Sequence, residues 1–183
     1  MRIGPAYILF FFATVLMAQE ASPSAARLVK VMAADQSALF GLQRGFEKLR
    51  DIGKLTDKQF ECTKRLDETR LLKPLAALIA GSLTESEIAS ATAFFESPTG
   101  GRVLLYAEAR RYESAGIRSP VGKVALSARE IARLQQFVAT PSGKKLITDS
   151  LLTGSAQSQS LLLKEIDNVF IECAGKSVLP ANQ

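Results

Sequence analysis

Leu83–Leu104 reads LTESEIASATAFFESPTGGRVL, and Leu126–Ile147 reads LSAREIARLQQFVATPSGKKLI. The second stretch follows the first at a constant offset of 43 residues, so that Phe137 answers Phe94, Pro141 answers Pro98 and Gly143 answers Gly100. Thr84-x-x-Glu87 and Ser127-x-x-Glu130 both have the form of a capping box. In that motif the hydroxyl accepts from the amide three residues on, and the carboxylate accepts from the cap's own amide. The sequence therefore predicts helices starting at Glu85 and Ala128. Their apolar residues, Ile88, Ala91, Phe94 and Phe95 in one and Ile131, Leu134, Phe137 and Val138 in the other, fall on one stripe. Ser97-Pro98 and Thr140-Pro141 then read as a cap followed by proline at the first helical position, where its missing N–H costs nothing. The residue before each proline is driven out of the α region, so the first helix stops there. Each stretch is a helix, a corner and a second helix, with Val103 and Leu104, or Leu146 and Ile147, turned back toward the phenylalanine. Gly100 and Gly143 lie where a side chain would obstruct close approach.

Outward from this pair, the N-terminal end reads as a leader. Arg2 precedes an apolar run, Ala6–Met17, and Leu16-Met17-Ala18 offers a cleavage site. The run is about a dozen residues, short of the roughly 20 needed to span a bilayer. Residues 1–18 are thus expected to be a cleaved secretory signal, and residues 19–183 one helical domain that does not span a membrane. Without Arg2, 22 Lys and Arg face 18 Asp and Glu, a net charge of +4. That excess favours anionic neighbours weakly. The basic pairs Lys64-Arg65, Arg110-Arg111 and Lys144-Lys145 are scattered, which with export argues against a nucleic-acid partner.

A helical pattern runs from Ser24 to Leu49 through Leu28, Met32, Leu39, Leu42 and Phe46. Asp35 lies on that stripe and is expected at the domain surface, partly exposed. After a break at Asp51–Gly53, Thr56-x-x-Gln59 opens a helix toward Leu71. Pro74 follows, then a short helical piece, Leu75–Ile79. Ser114–Lys123, with Gly116, Pro120 and Gly122, reads as a loop. Gly154-Ser155 marks a corner before a last helix from about Ala156, ended by Gly175, and Pro180–Gln183 is a tail. No run alternates as a strand does. The expected fold class is all-α.

Cys62 and Cys173 are the two cysteines. In an exported chain an even count points to a disulfide; the alternative is two small buried thiols in neighbouring helices. There is no histidine, which removes Ser-His-Asp and Cys-His nucleophile systems and leaves zinc a poor ligand set. No catalytic residue, cofactor or metal is assigned. The carboxylates Asp67-Glu68 and Glu85/Glu87 read first as helix-end electrostatics. Ser142-Gly143-Lys144-Lys145 lacks the first glycine of a phosphate loop, Val138 standing in its place. A looser anion site at Lys144 and Lys145 stays open.

Leu72-Lys-Pro-Leu75, followed by Thr84, Glu87, Phe94, Ser97, Pro98 and Gly100, resembles the bacterial family catalogued as domain of unknown function 2059. The resemblance covers roughly residues 50–110 best, and the second stretch, with Thr140, suggests that it extends to about 150. It implies a small helical protein of the Gram-negative cell envelope, periplasmic or secreted, and brings no catalytic residues. The leading expectation is a non-enzymatic module that binds a protein or an envelope component. One alternative is a small-molecule or lipid carrier with a cavity lined by Phe94, Phe95, Phe137 and Phe170. Another is a carboxylate hydrolase, which requires a cleft holding two carboxylates, one with a raised pKa.

Overall fold

The computed structural model describes residues 22–174. The expected leader 1–18, the cap Gly175 and the tail Pro180–Gln183 lie outside the described residues. Within these residues the chain is all-α, with nine α-helices and no strand. They are α1 (Pro23–Val31), α2 (Ala34–Asp51), α3 (Asp57–Thr63), α4 (Glu68–Ser82), α5 (Glu85–Glu96), α6 (Pro98–Ser114), α7 (Ala128–Val138), α8 (Pro141–Gly143) and α9 (Ala156–Ala174). A π-helical turn, Lys144–Thr148, continues α8.

Helix α1 is central. Its Ala25, Leu28 and Val29 are fully buried, and it packs on α2, α4 and α5. The core continues through Leu71, Leu75 and Ile79 of α4, Ile88 and Phe95 of α5, and Val169 and Phe170 of α9. A disulfide joins Cys62 of α3 to Cys173 of α9, with Cα atoms 5.8 Å apart. It ties the α2–α4 side of the fold to the last helix.

Three expected elements differ. The single helix from Ser24 to Leu49 is broken, because Ala33 takes a left-handed conformation (φ +48°) between α1 and α2. That bend turns Asp35, in the first turn of α2, inward, so it is wholly buried rather than partly exposed. Its carboxylate is satisfied locally: Lys30 Nζ donates to Oδ2 (2.5 Å) and the Gln36 amide to Oδ1 (3.0 Å). The hydrogen bond to Asp35 raises the Lys30 pKa above its ordinary value. The helix opened by Thr56 ends at Thr63 instead of reaching Leu71, and Asp67 caps a new one by accepting from the amides of Thr69 and Arg70. That helix, α4, continues past Pro74. An interior proline costs about 3 kcal/mol, and the buried i, i+4, i+8 row of Leu71, Leu75 and Ile79 outweighs it.

The two 22-residue stretches adopt the expected caps. Thr84 and Ser127 accept from the amides of Glu87 and Glu130, whose carboxylates accept in return from the cap amides (2.7 Å in both). Ser97 and Thr140 cap α6 and α8 by accepting from Gly100 and Gly143. The helices that follow differ in length. The first runs to Ser114, whereas α8 and its π turn stop at Thr148, where Thr148-Asp149-Ser150 brings side chains that compete with helical hydrogen bonds. Ile147 is 40% exposed and Ile131 43%, so neither turns fully inward as expected. The reason is cover: α5 is sandwiched by α1 and α6, while α7 packs mainly on α6, α8 and the π turn.

The two stretches also grip each other reciprocally. Phe94 and Phe137 stack ring on ring, centroids 4.0 Å apart and planes 3° from parallel. Lys145 Nζ donates to the Ser82 carbonyl (2.9 Å) and to both oxygens of Glu87 (3.0 and 3.1 Å). Arg102, 43 places before Lys145, donates to the Ala125 carbonyl (2.9 Å) and sits 3.6 Å from Glu130. Ala125 and Glu130 in turn stand 43 places after Ser82 and Glu87. Residue pairs that exchange roles in this way have the pattern of an isologous, two-fold contact.

Candidate binding cleft

A concavity lies beside the end of α6. Helix α6 ends in a Schellman motif: Ile117 N donates to Tyr112 O (3.0 Å) and Gly116 N to Glu113 O (2.9 Å), with Gly116 at φ +70°. The chain then doubles back along α6. It turns again at Ser119-Pro120-Val121-Gly122, where Gly122 N donates to Ser119 O (3.2 Å) and proline holds the second position. The returning loop is pinned at Ala125 by Arg102.

Between the second half of α6 and this loop lies a cleft of about 750 Å³. Tyr106, Ala109, Ile117 and Val124 give it apolar wall, and Arg110, Glu113, Arg118 and Lys123 give it charge. Arg110 and Glu113 pair with each other on one face of α6. Arg118 and Lys123, both exposed and both on the loop, have no ion-pair partner among the described residues. The lining therefore carries a net charge of +2.

A second, shallower cleft of about 610 Å³ lies between the end of α4 and the start of α9. It is the counterpart of the first at the same offset: Ser82 corresponds to Ala125, Gly81 to Val124, Ser160 to Ile117 and Leu161 to Arg118. Its lining contains no charged residue.

Residues singled out by the sequence serve other ends. Thr84, Glu87, Ser127 and Glu130 are caps, and Pro98 and Pro141 open α6 and α8. Phe94, Phe95 and Phe137 form one ring cluster, and Phe170 lies edge-on to Phe46 (6.3 Å). None of the four lines either cleft. The Lys144-Lys145 anion site loses its second cation, because Lys145 is committed to Glu87 and Ser82.

Four carboxylates, Asp67, Glu87, Glu130 and Glu172, are held in the charged form. The Thr69 hydroxyl and neighbouring amides push Asp67 below its ordinary pKa. The Thr84 amide and then Lys145 lower Glu87, the Ser127 amide lowers Glu130, and Arg70 lowers Glu172. A general acid needs the opposite shift. Among the described residues no group of three His, Cys, Asp or Glu is placed to hold a metal ion, and no helix is long and apolar enough to cross a membrane.

Sequence reasoning passed over Tyr106, Ala109, Arg118 and Lys123. The signal available was an asymmetry: residues 105–125 lie between the two matching stretches and carry charge that their counterparts at the offset lack. No protein-family model, curated protein or solved structure matches the chain.

Proposed function

We propose that the chain is an exported, non-enzymatic binding module of the Gram-negative cell envelope, and that it takes its ligand in the cleft between α6 and the loop 115–127. The observation that carries this reading is the contrast between the two clefts, of which only one has unpaired cations in its lining. The Cys62–Cys173 disulfide supports an oxidising compartment, where such bonds persist. The leader-like residues 1–18 support the same destination. Membership of the family catalogued as domain of unknown function 2059 is part of the proposal, supported by Thr84, Glu87, Phe94, Ser97, Pro98 and Gly100.

The test is photo-crosslinking in the host, with a benzophenone amino acid at Tyr106 or at the exposed Lys54 outside the cleft, followed by native mass spectrometry. Position 106 is expected to capture an envelope component that position 54 does not. Equal capture at both, or none at 106, overturns the reading. The same spectrum reports loss of the leader and of two hydrogens at the cysteines.

A further inference from the structure

We infer that the ligand of the α6–loop cleft is a single-chain amphiphile with an anionic head, a fatty-acid-type molecule taken as a monomer. This rests on the cleft being the binding site. The two walls differ in chemistry. Helix α6 offers Tyr106 and Ala109 beside an ion pair, Arg110–Glu113, that neutralises itself. The loop offers Arg118 and Lys123 with no acidic neighbour paired to them, next to Ile117 and Val124. Tyr106 and Ile117 remain 37% and 36% exposed, although both are large apolar side chains.

An anion without an apolar body would leave that surface wet. A neutral apolar molecule would instead cover part of the hydration of two cations and return no charge to them, which is costly. An amphiphile with an acid head satisfies both walls, and an arginine fork suits a carboxylate in particular. The volume, about 750 Å³, lies within the range of roughly 300–1,000 Å³ typical of small-molecule sites. A flat bilayer suits the recess less well, since Ala109 sits between helix and loop and is only 8% exposed. The second cleft has no charged side chain in its lining and so lacks the means to hold the head group. The cations thus select which of the two hollows is used.

The experiment is calorimetric titration of the full chain with decanoate below its micellar concentration, with decanol as the uncharged probe. Amide shifts in NMR spectra locate the binding. Decanoate is expected to bind one to one and to shift amides of residues 106–125, not those of 77–82 or 156–161. Decanol and the double variant Arg118→Gln/Lys123→Gln should each weaken binding by about tenfold or more, as removal of a close charge contact does. Lys54→Gln should leave it unchanged. Ala109→Leu, which fills the cleft from α6, should also weaken it, and the loop variants keep the test sharp if that substitution disturbs folding. Equal affinity for decanoate and decanol, or shifts at the second cleft, overturns the inference. So does co-sedimentation with phosphatidylglycerol vesicles in the absence of monomer binding. If decanoate fails while the crosslinker at Tyr106 still captures an envelope component, the ligand class is wrong and the site stands. If both fail, the site itself is wrong.

Discussion

Gly100→Ala and Gly101→Ala are adjacent substitutions in the first turn of α6 with opposite expected signs. A Cβ at Gly100 would lie 2.5 Å from Phe95 Cα and 2.8 Å from Phe94 C, with the Phe94 carbonyl oxygen closer still. These are backbone atoms of the preceding helix, so no side chain can rotate away. Overpacking usually costs about 1–3 kcal/mol, and a clash with fixed backbone belongs at the upper end. The better helix propensity of alanine returns at most about 1 kcal/mol, which leaves a net loss of roughly 2 kcal/mol. A Cβ at Gly101 meets nothing within 4 Å, so alanine there keeps the propensity gain of up to about 1 kcal/mol. For a domain of this size each kcal/mol moves Tm by about 2–4 °C. Thermal melts followed by circular dichroism, with the disulfide intact, should show Gly100→Ala down by about 4–8 °C and Gly101→Ala level or up by about 2–4 °C. Gly143→Ala should behave like Gly100→Ala, because its Cβ would lie 2.6 Å from Phe137 C and 2.9 Å from Val138 Cα. If Gly100→Ala melts with Gly101→Ala, the close approach at the corner is refuted.

Ala33→Gly should raise stability by about 1 kcal/mol, since an alanine pays about 1–2 kcal/mol for the left-handed conformation and part of that gain is lost to glycine's freer unfolded state; the urea midpoint checks it. Reducing the Cys62–Cys173 bond should lower stability by up to about 4–5 kcal/mol, the loop-entropy figure for a separation of this length, read as the difference between urea curves with and without reductant. Glu87 has a depressed folded pKa, so the stability it contributes is present above its unfolded pKa. That stability drains away as pH falls through the folded value, below the ordinary carboxylate range. Lys145→Met should flatten the acid limb of the stability–pH curve and Glu87→Gln should flatten it further, because Gln also loses the charge that the Thr84 amide favours.

The corner units were legible because their rules are local. A hydroxyl with a Glu three places on, a proline after Ser or Thr, and a glycine two places later each act within one turn of helix, and a 43-residue echo gave each a second instance. The bend at Ala33 was illegible for the opposite reason. Alanine is the best helix former, and only tertiary packing holds it in a conformation its side chain disfavours. Pro74 misled in the same way, its local rule being overridden by the buried row of Leu71, Leu75 and Ile79. The exchange of Arg102 and Lys145 was half visible, since both positions are basic and both partners are Glu. That each reaches the other stretch and not its own follows from the packing alone. The cleft was the least visible feature, because its residues belong to the part of the chain that the echo does not cover.

The reciprocal grip of the two stretches also bears on how this chain meets itself. Everything the first stretch needs from the second is present in any other copy: a ring to stack on Phe94, a cation for Glu87, a carbonyl for Arg102. The match is kept within one chain by the tether through α6 and the loop 115–127, which holds the halves at a high effective concentration, and by the Cys62–Cys173 bond between α3 and α9. Shorten or stiffen that tether, and two chains can trade halves into an entwined dimer that loses none of these contacts. The loop that walls the cleft is thereby also part of the link that keeps the two stretches paired within one chain.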